Sequence, residues 1–134
     1  FLSKNSTTKK LKVACFTLSS FLKDKPYPNF IKMDVEGGEV EIFRGMYDYF
    51  KNKNEGKCLI ILEMHPIFYN ESHNLEIEFR KFLNIGFKTK YVISAGVPIP
   101  DLFKKYGYAP DNIYRNRGVY SKVTDEHMLY FSCR

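Results

Sequence analysis

Short apolar runs alternate with helical spacing of apolar residues over the first two thirds of the chain. Residues 11–16, 30–35 and 58–64 have the length and composition of β-strands, and the nearly unbroken run at 58–64 is typical of a strand covered on both faces. From residue 39 to about residue 52, apolar side chains recur every three or four positions, which predicts an amphipathic helix. A second such helix is predicted over 75–86, with a glycine at its C-terminal end.

Less regular patterns flank these elements. Residues 17–23 are predicted to form a short helix with a threonine as its N-cap, and 87–93 to form a strand. Residues 94–118 combine prolines, glycines and tyrosines, so we expect a long irregular insertion with one short helix at 100–106. The apolar run 127–133 is predicted to be the last strand, antiparallel to the others.

The order of these elements indicates an α/β fold. Strands and helices alternate, which favours a largely parallel sheet layered against helices. The 134 residues are of single-domain size and can enclose a modest core. We therefore treat residues 1–134 as part of one domain, with a polar and frayed segment at 1–10.

Composition and charge exclude several classes of protein. Hydrophobic residues make up 44% of the chain and charged residues 27%, as in ordinary globular domains. The net charge of +6 is spread along the chain rather than collected in one stripe, so we expect no nucleic-acid partner. No apolar run approaches about 20 residues, so no membrane span is expected. Three cysteines without paired spacing favour free thiols and a cytoplasmic location.

Charged side chains follow the two apolar strands on either side of the first long helix. Asp34 and Glu36 end the first strand, and Glu63 and His65 end the second. Ligands bind at the carboxyl ends of strands in open α/β sheets, and these side chains would converge if the two strands are parallel neighbours. They could bind a hydroxyl, a cofactor amine or a divalent metal, with the histidine as a general base. The alternatives are that Glu36 and Glu39 stabilise the next helix terminus and that His65 is a hydrogen-bonded structural histidine.

Among these residues Asp34 is the strongest candidate, because it interrupts an apolar run where burial of a carboxylate without a purpose is costly. Gly37 permits close approach of the backbone to a ligand, although no phosphate-cradling glycine pattern occurs in the sequence. His73 and His127 have no comparable partners and are expected at the surface. Residues 114–120 mix tyrosine and arginine, which could bind a sugar or phosphate; a solvated loop is the alternative.

The sequence resembles the FkbM-type methyltransferases in three segments, which are Thr-Leu-Ser at 17–19, FIKMDVEGGEVEIFRG at 30–45 and ILEMH at 61–65. The resemblance implies a Rossmann-like methyltransferase sheet with helices on both faces. It also implies transfer of a methyl group from S-adenosylmethionine to a hydroxyl on a sugar or other small-molecule or glycan acceptor.

The same resemblance implies roles for the strand-end residues. It places Asp34 and Glu36 beside the cofactor methyl group and the acceptor, with Asp34 and Gly37 as cofactor contacts. Glu63 and His65 would stand at the neighbouring strand end and share in catalysis.

The chain departs from the family pattern in two ways. Ser19 stands where the family has an aspartate, and the family's upstream glycine-rich cofactor loop has no counterpart here. The resemblance therefore implies the C-terminal half of a catalytic domain. Phe30–Val35 would then be an exposed edge, covered by a missing N-terminal half or by another chain. We expect residues 1–134 alone to bind little cofactor and to be inactive; the alternative is a non-catalytic fragment or interaction module that uses this edge.

Overall fold

A computed structural model describes residues 11–52 and 57–133 of the chain. The elements in chain order are α1 (Leu18–Phe21), β1 (Phe30–Met33), α2 (Glu39–Lys51), β2 (Leu59–Leu62), a 3₁₀ turn (Pro66–Phe68), α3 (Leu75–Asn84), β3 (Val92–Ile93), α4 (Asp101–Lys105), β4 (Asn112–Tyr114), β5 (Arg117–Tyr120) and α5 (Asp125–Ser132). The predicted frayed segment at 1–10 lies outside the described residues.

The strands β1 and β2 are parallel neighbours joined through α2. Phe30 lies opposite Leu59 and Met33 lies opposite Leu62. Just beyond the strands, the backbone N–H of Glu63 donates to the carbonyl oxygen of Met33 at 3.0 Å. The predicted parallel pairing is confirmed, and it brings the residues that follow the two strands to one edge of the sheet.

The apolar stripe of α2 forms the centre of the core. Val40, Phe43, Met46 and Phe50 are at most 4% exposed. The ring of Phe43 packs edge-on against Phe82 of α3, with 4.9 Å between ring centroids. Removal of this apolar surface from water is the main stabilising contribution at such a helix pair.

A buried carboxylate fixes α3 against α2. The side chain of Glu78 in α3 is 2% exposed and lies 2.9 Å from Nε of Arg44 in α2. It also accepts a hydrogen bond from Nζ of Lys81 at 2.7 Å. A carboxylate this deeply buried is stable only with such partners; Lys81 belongs to α3 itself, so it is the Arg44 contact that links α3 to α2.

The strands β3, β5 and β4 form a second, antiparallel sheet in that order. Ser94 supports it, because its Oγ accepts the backbone N–H of Gly118 and donates to the carbonyl of Val97, both at 2.7 Å. β3 thus pairs with β5 instead of extending the parallel pair. The described residues form a mixed α/β fold with two small sheets, and one continuous Rossmann-like sheet stays a prediction.

Two predicted strands differ from the structure. Residues 11–16 form no strand, and Leu11, Val13 and Phe16 are exposed there. The strand predicted at 87–93 is present only as Val92–Ile93. Upstream of it, the backbone N–H of Thr89 donates to Asp125 of α5 at 2.7 Å, so that stretch bonds a helix terminus and not a neighbouring strand.

The last element is a helix, so the predicted final strand at 127–133 is wrong. Oγ1 of Thr124 accepts the N–H of His127 and caps α5. Met128 and Leu129 face the core from consecutive positions. Because short apolar runs occur in both buried strands and buried helices, this pattern does not distinguish them.

The remaining predicted elements agree with the structure. The helices expected at 17–23, 39–52 and 75–86 are confirmed as α1, α2 and α3. Residues 94–118, predicted as an irregular insertion with a short helix, contain α4, β4 and the start of β5. None of the helices in the described parts of the chain has the length and apolar character needed to cross a membrane.

Candidate functional site

The carboxyl ends of β1 and β2 carry Asp34 and Glu63. The side chain of Asp34 is 40% exposed and lies 3.2 Å from Nζ of Lys32, so the expectation of a buried carboxylate in an apolar run is wrong. Glu63 is also exposed. Water screens an exposed ion pair such as Lys32–Asp34, which leaves it weak. The carboxylate of Asp34 is thus accessible to solvent.

A tight turn follows β1. Glu36 has a φ of 44° and Gly37 a φ of 105°, and the first value is uncommon for a residue with a side chain. The strand ends at Met33, so strand alternation does not relate Asp34 to Glu36. A Cβ atom at Gly37 would lie 2.8 Å from Cγ of Phe68. The turn thus requires glycine at position 37 for both its conformation and its space.

The shortest polar contact at this edge joins His65 to Glu39, the first residue of α2. Nδ1 of His65 lies 2.6 Å from Oε1 of Glu39. The same oxygen accepts the backbone N–H of Gly37 at 3.2 Å. Glu39 is 0% exposed, and its Oε2 has no hydrogen-bond partner among the described residues. Since the His65 side chain remains 22% exposed, a buried carboxylate lies behind a histidine that reaches the solvent.

Sequence reasoning missed Glu39 because acidic residues are common in the first turn of a helix. The helical spacing contained the signal. Glu39, Phe43, Met46 and Phe50 follow an i, i+4, i+7, i+11 pattern, so Glu39 belongs to the buried stripe of α2. A carboxylate in that position needs a partner, and His65 is the one the fold provides.

The Glu39–His65 contact shifts both groups toward their charged forms. Burial raises the pKa of Glu39, but the hydrogen bonds from His65 and from backbone N–H groups outweigh it and leave the pKa below its ordinary value. The hydrogen bond to Glu39 raises the pKa of His65, against the opposing effect of burial. The negative charges of Glu39, Glu63 and Asp34 add to that rise. His65 therefore responds to all three carboxylates.

Tyr69 contacts the backbone of His65. Its hydroxyl accepts the N–H of His65 at 3.1 Å. Burial, with a smaller contribution from the charge on Glu39, raises the pKa of Tyr69 to about 12. The phenol is thus protonated near neutral pH. A cavity of about 180 Å³, lined in part by Tyr69, Pro66 and Cys133, adjoins it.

His73 also belongs to this site, so the prediction that it is a surface residue without partners is wrong. Its Nε2 lies 2.8 Å from the carbonyl oxygen of Gly37, and its Nδ1 lies 3.0 Å from Oε1 of Glu41. A carbonyl oxygen and a carboxylate oxygen both accept hydrogen bonds, so both contacts form when each ring nitrogen carries a proton. The imidazole connects the turn to the first turn of α2.

The other predicted histidine and the tyrosine–arginine segment lie elsewhere. His127 is half-buried, with Nδ1 2.7 Å from the hydroxyl of Tyr108 and its ring stacked on Phe131 at 5.6 Å, so its prediction as a surface residue is also wrong. In the hairpin of β4 and β5, Tyr114 is 66% exposed, and the Arg115 guanidinium lies 5.4 Å from its ring centroid. This solvated hairpin agrees with the alternative to a binding loop.

Among the described residues, neither a cluster of metal-ligating side chains nor the larger cavity coincides with the strand ends. The described residues contain no group of three or more histidine, cysteine, aspartate or glutamate side chains placed to hold a metal ion. A cavity of about 630 Å³ borders Leu59 and Phe87. Leu59 is the first residue of β2, so this cavity lies at the opposite end of the strand from Glu63. The chemistry that the strand ends support is that of carboxylates and one histidine.

Comparison with known proteins bears on what this arrangement does. A family model described as the methyltransferase FkbM domain matches residues 1–109, a range that includes every residue of the strand-end site. The comparison with curated proteins and the comparison with solved structures each gave no match.

Proposed function

The chain belongs to the methyltransferase FkbM domain family, and on that premise we propose that it transfers a methyl group from S-adenosylmethionine to a hydroxyl oxygen of a sugar or other small-molecule or glycan acceptor. The observation that supports an oxygen acceptor is the partly exposed ring of His65, hydrogen-bonded to the buried carboxylate of Glu39. A histidine held in this way is suited to removing a proton from a hydroxyl group.

The strand-end residues fit a positively charged cofactor. S-adenosylmethionine supplies a methyl carbon bonded to a cationic sulfur, and Asp34, Glu36 and Glu63 are exposed carboxylates at or near the ends of β1 and β2. We propose that Asp34 and Gly37 contact the cofactor. The N–H of Gly37 donates to Glu39 and its carbonyl accepts from His73, so Gly37 would act through the turn conformation that its φ of 105° allows and not by hydrogen bonding.

The acceptor hydroxyl would lie between the two strand ends. Carboxylates accept hydrogen bonds from hydroxyl groups, and Glu36 and Glu63 would orient the acceptor in this way. His65 would then take the hydroxyl proton, which makes the oxygen more nucleophilic. Asp34, Glu36, Glu63 and His65 are thus the residues to which we assign catalysis.

Tight cofactor binding is proposed to need protein beyond the described sheet. β1 and β2 form a two-stranded sheet in the described residues, where Phe30, Leu59 and Ile61 are 49%, 43% and 46% exposed. These side chains leave one face of the pair uncovered. Two strands alone are marginally stable, and a strand edge without a neighbour pairs readily with further strands. We propose that an N-terminal half of the domain, or another chain, covers β1 and supplies the glycine-rich cofactor loop.

The cysteines support a reducing location. Cys15, Cys58 and Cys133 are all free thiols in the structure. Free cysteines persist where glutathione and thioredoxin keep thiols reduced. We therefore propose that the reaction takes place in the cytoplasm.

Calorimetric titration with S-adenosylmethionine tests the proposed function. The chain, expressed together with any coding sequence that precedes it in its gene, should bind the cofactor, and residues 1–134 alone should bind at least about tenfold more weakly, a difference of about 1.4 kcal/mol. The Asp34→Asn variant of the longer protein should bind more weakly, whereas Asp48→Asn, on the exposed face of α2, serves as the matched control.

Two results would contradict this account. Equal affinity of the two proteins would show that no further chain is needed for binding. Absence of binding to the longer protein would refute the methyltransferase proposal and favour a non-catalytic interaction module.

A further inference from the structure

We propose that Glu39 is a positioning residue for His65, holding its imidazole so that Nε2 faces the acceptor hydroxyl. The inference rests on the proposed function, because it assigns a role within the same reaction. It adds a residue that the strand-end pattern did not identify. The 2.6 Å contact between His65 Nδ1 and Glu39 Oε1 is the observation that carries it.

The contact selects one tautomer of His65. A carboxylate oxygen only accepts hydrogen bonds, so the proton of the neutral ring must lie on Nδ1. Nε2 then carries the lone pair, and it makes no hydrogen bond to another described residue. A second contact fixes the main chain, since the N–H of His65 donates to the hydroxyl of Tyr69. The ring and its backbone are thus both held while the basic nitrogen stays available.

Helix capping alone does not account for Glu39. A glutamate that only balances the helix dipole works equally well when exposed, as Glu41 does in the same turn. Glu39 is instead fully buried, which is costly for a carboxylate. Its Oε1 bonds both the imidazole of His65 and the N–H of Gly37. Glu39 therefore links the imidazole of His65 to the turn that follows β1.

In the proposed step, His65 accepts the proton and the sulfur of the cofactor accepts the electron pair of the broken bond. As the acceptor oxygen forms its bond to the methyl carbon, the hydroxyl proton moves to Nε2 of His65. In the same step the bond between the methyl carbon and the sulfur of S-adenosylmethionine would break, and its electron pair would stay on the sulfur as part of a neutral thioether. The ring then carries a positive charge, which the negative charge of Glu39 stabilises from behind.

Among the described residues, the charged groups that shift the pKa of His65 all raise it. Glu39 of α2 contacts the ring, and Glu63 after β2 and Asp34 after β1 add negative charge at longer range. Tyr69 is neutral near physiological pH. Removing Glu39 therefore lowers the pKa of His65 and leaves the contributions of Glu63 and Asp34 in place.

The test compares Glu39→Gln with the wild type, both in the longer protein with any preceding coding sequence. Histidine side-chain NMR titration should show a lower pKa for His65 in the variant. Methyl transfer should show kcat reduced by about 100-fold, within the range that a general base contributes, with KM changed by less than about twofold. The rise of kcat with pH should move to lower pH. Glu126→Gln is the control, since it removes an exposed first-turn carboxylate from another helix.

A double-variant cycle keeps the inference testable if Glu39→Gln alone perturbs folding. If Glu39 acts through His65, adding Glu39→Gln to His65→Gln should lower kcat no further. An unchanged pKa of His65, a wild-type pH profile, or additive losses in the cycle would each overturn the inference. Calorimetry distinguishes failure of the proposed function from failure of the role inferred for Glu39. A protein that does not bind S-adenosylmethionine contradicts the proposed function and this inference with it, whereas one that binds it and shows additive losses contradicts the inference alone.

Discussion

Replacement of Gly37 with alanine should destabilise the protein by about 2–3 kcal/mol. The backbone φ of 105° costs a residue with a side chain about 1–2 kcal/mol. The added Cβ would also lie 2.8 Å from Cγ and 3.1 Å from Cβ of Phe68. Because the contact includes the Cβ of Phe68 as well as its ring, rotation of that ring does not fully relieve it, and we assign about 1 kcal/mol to its displacement.

Substitutions at two other glycines distinguish the conformational cost from the cost of the contact with Phe68. Gly86 has a φ of 101°, and a Cβ there would meet nothing within 4 Å, so Gly86→Ala reports the conformational cost alone, about 1–2 kcal/mol. Gly45 lies inside α2 with open space around it and no positive φ, so Gly45→Ala should stabilise the protein by about 0.5–1 kcal/mol.

Urea unfolding followed by circular dichroism measures all three variants on the same scale. The free energy of unfolding should increase for Gly45→Ala, and it should decrease moderately for Gly86→Ala and most for Gly37→Ala. Adding Phe68→Ala to Gly37→Ala should recover the part due to contact. If Gly37→Ala is no more destabilising than Gly86→Ala, the close approach of Phe68 to the turn is not a real constraint, and the reasoning fails.

Two further predictions concern the Glu39–His65 pair and the core. The raised pKa of His65 stabilises the fold fully below its unfolded value near 6.5, and this stabilisation is lost as pH rises through the folded pKa. The wild type should therefore lose its stability advantage over His65→Gln as pH rises above about 6.5 in urea titrations; a constant difference would contradict this. Phe82→Ala should cost about 3–5 kcal/mol by the same assay, because the ring is 2% exposed and packs against Phe43. A loss below about 1 kcal/mol would show that the core collapses around the gap.

The β1–α2–β2 unit could be predicted because three independent signals agree on it. The apolar runs, the glycine turn and the helical spacing each have a local cause, and parallel pairing follows from the intervening helix. The backbone conformation of Glu36 could not be predicted in this way. Its φ of 44° lies in the left-handed region, and no propensity identifies a glutamate that adopts this conformation.

The partnerships of Glu39 and His73 could not be found from spacing along the chain alone. His65 and Glu39 are 26 residues apart, and His73 and Gly37 are 36 apart, so each contact exists only after the chain has folded. The prediction of a strand in place of α5 was wrong for a different reason. Its apolar residues suit a strand, and the N-cap Thr124 with the two acidic residues after it was the signal that distinguishes a helix.

Within the described parts of the chain β1 pairs only with β2, and this one-sided pairing has a direct consequence for hydrogen exchange. A strand paired on one side directs every second backbone N–H away from its neighbour, so alternate amides of Phe30–Met33 should exchange with solvent quickly while the others are protected by β2. Any segment that pairs with the other side of β1 would slow the fast set and leave the protected set nearly unchanged. The exchange pattern of four consecutive amides thus reports, at residue resolution, whether the sheet has gained a third strand.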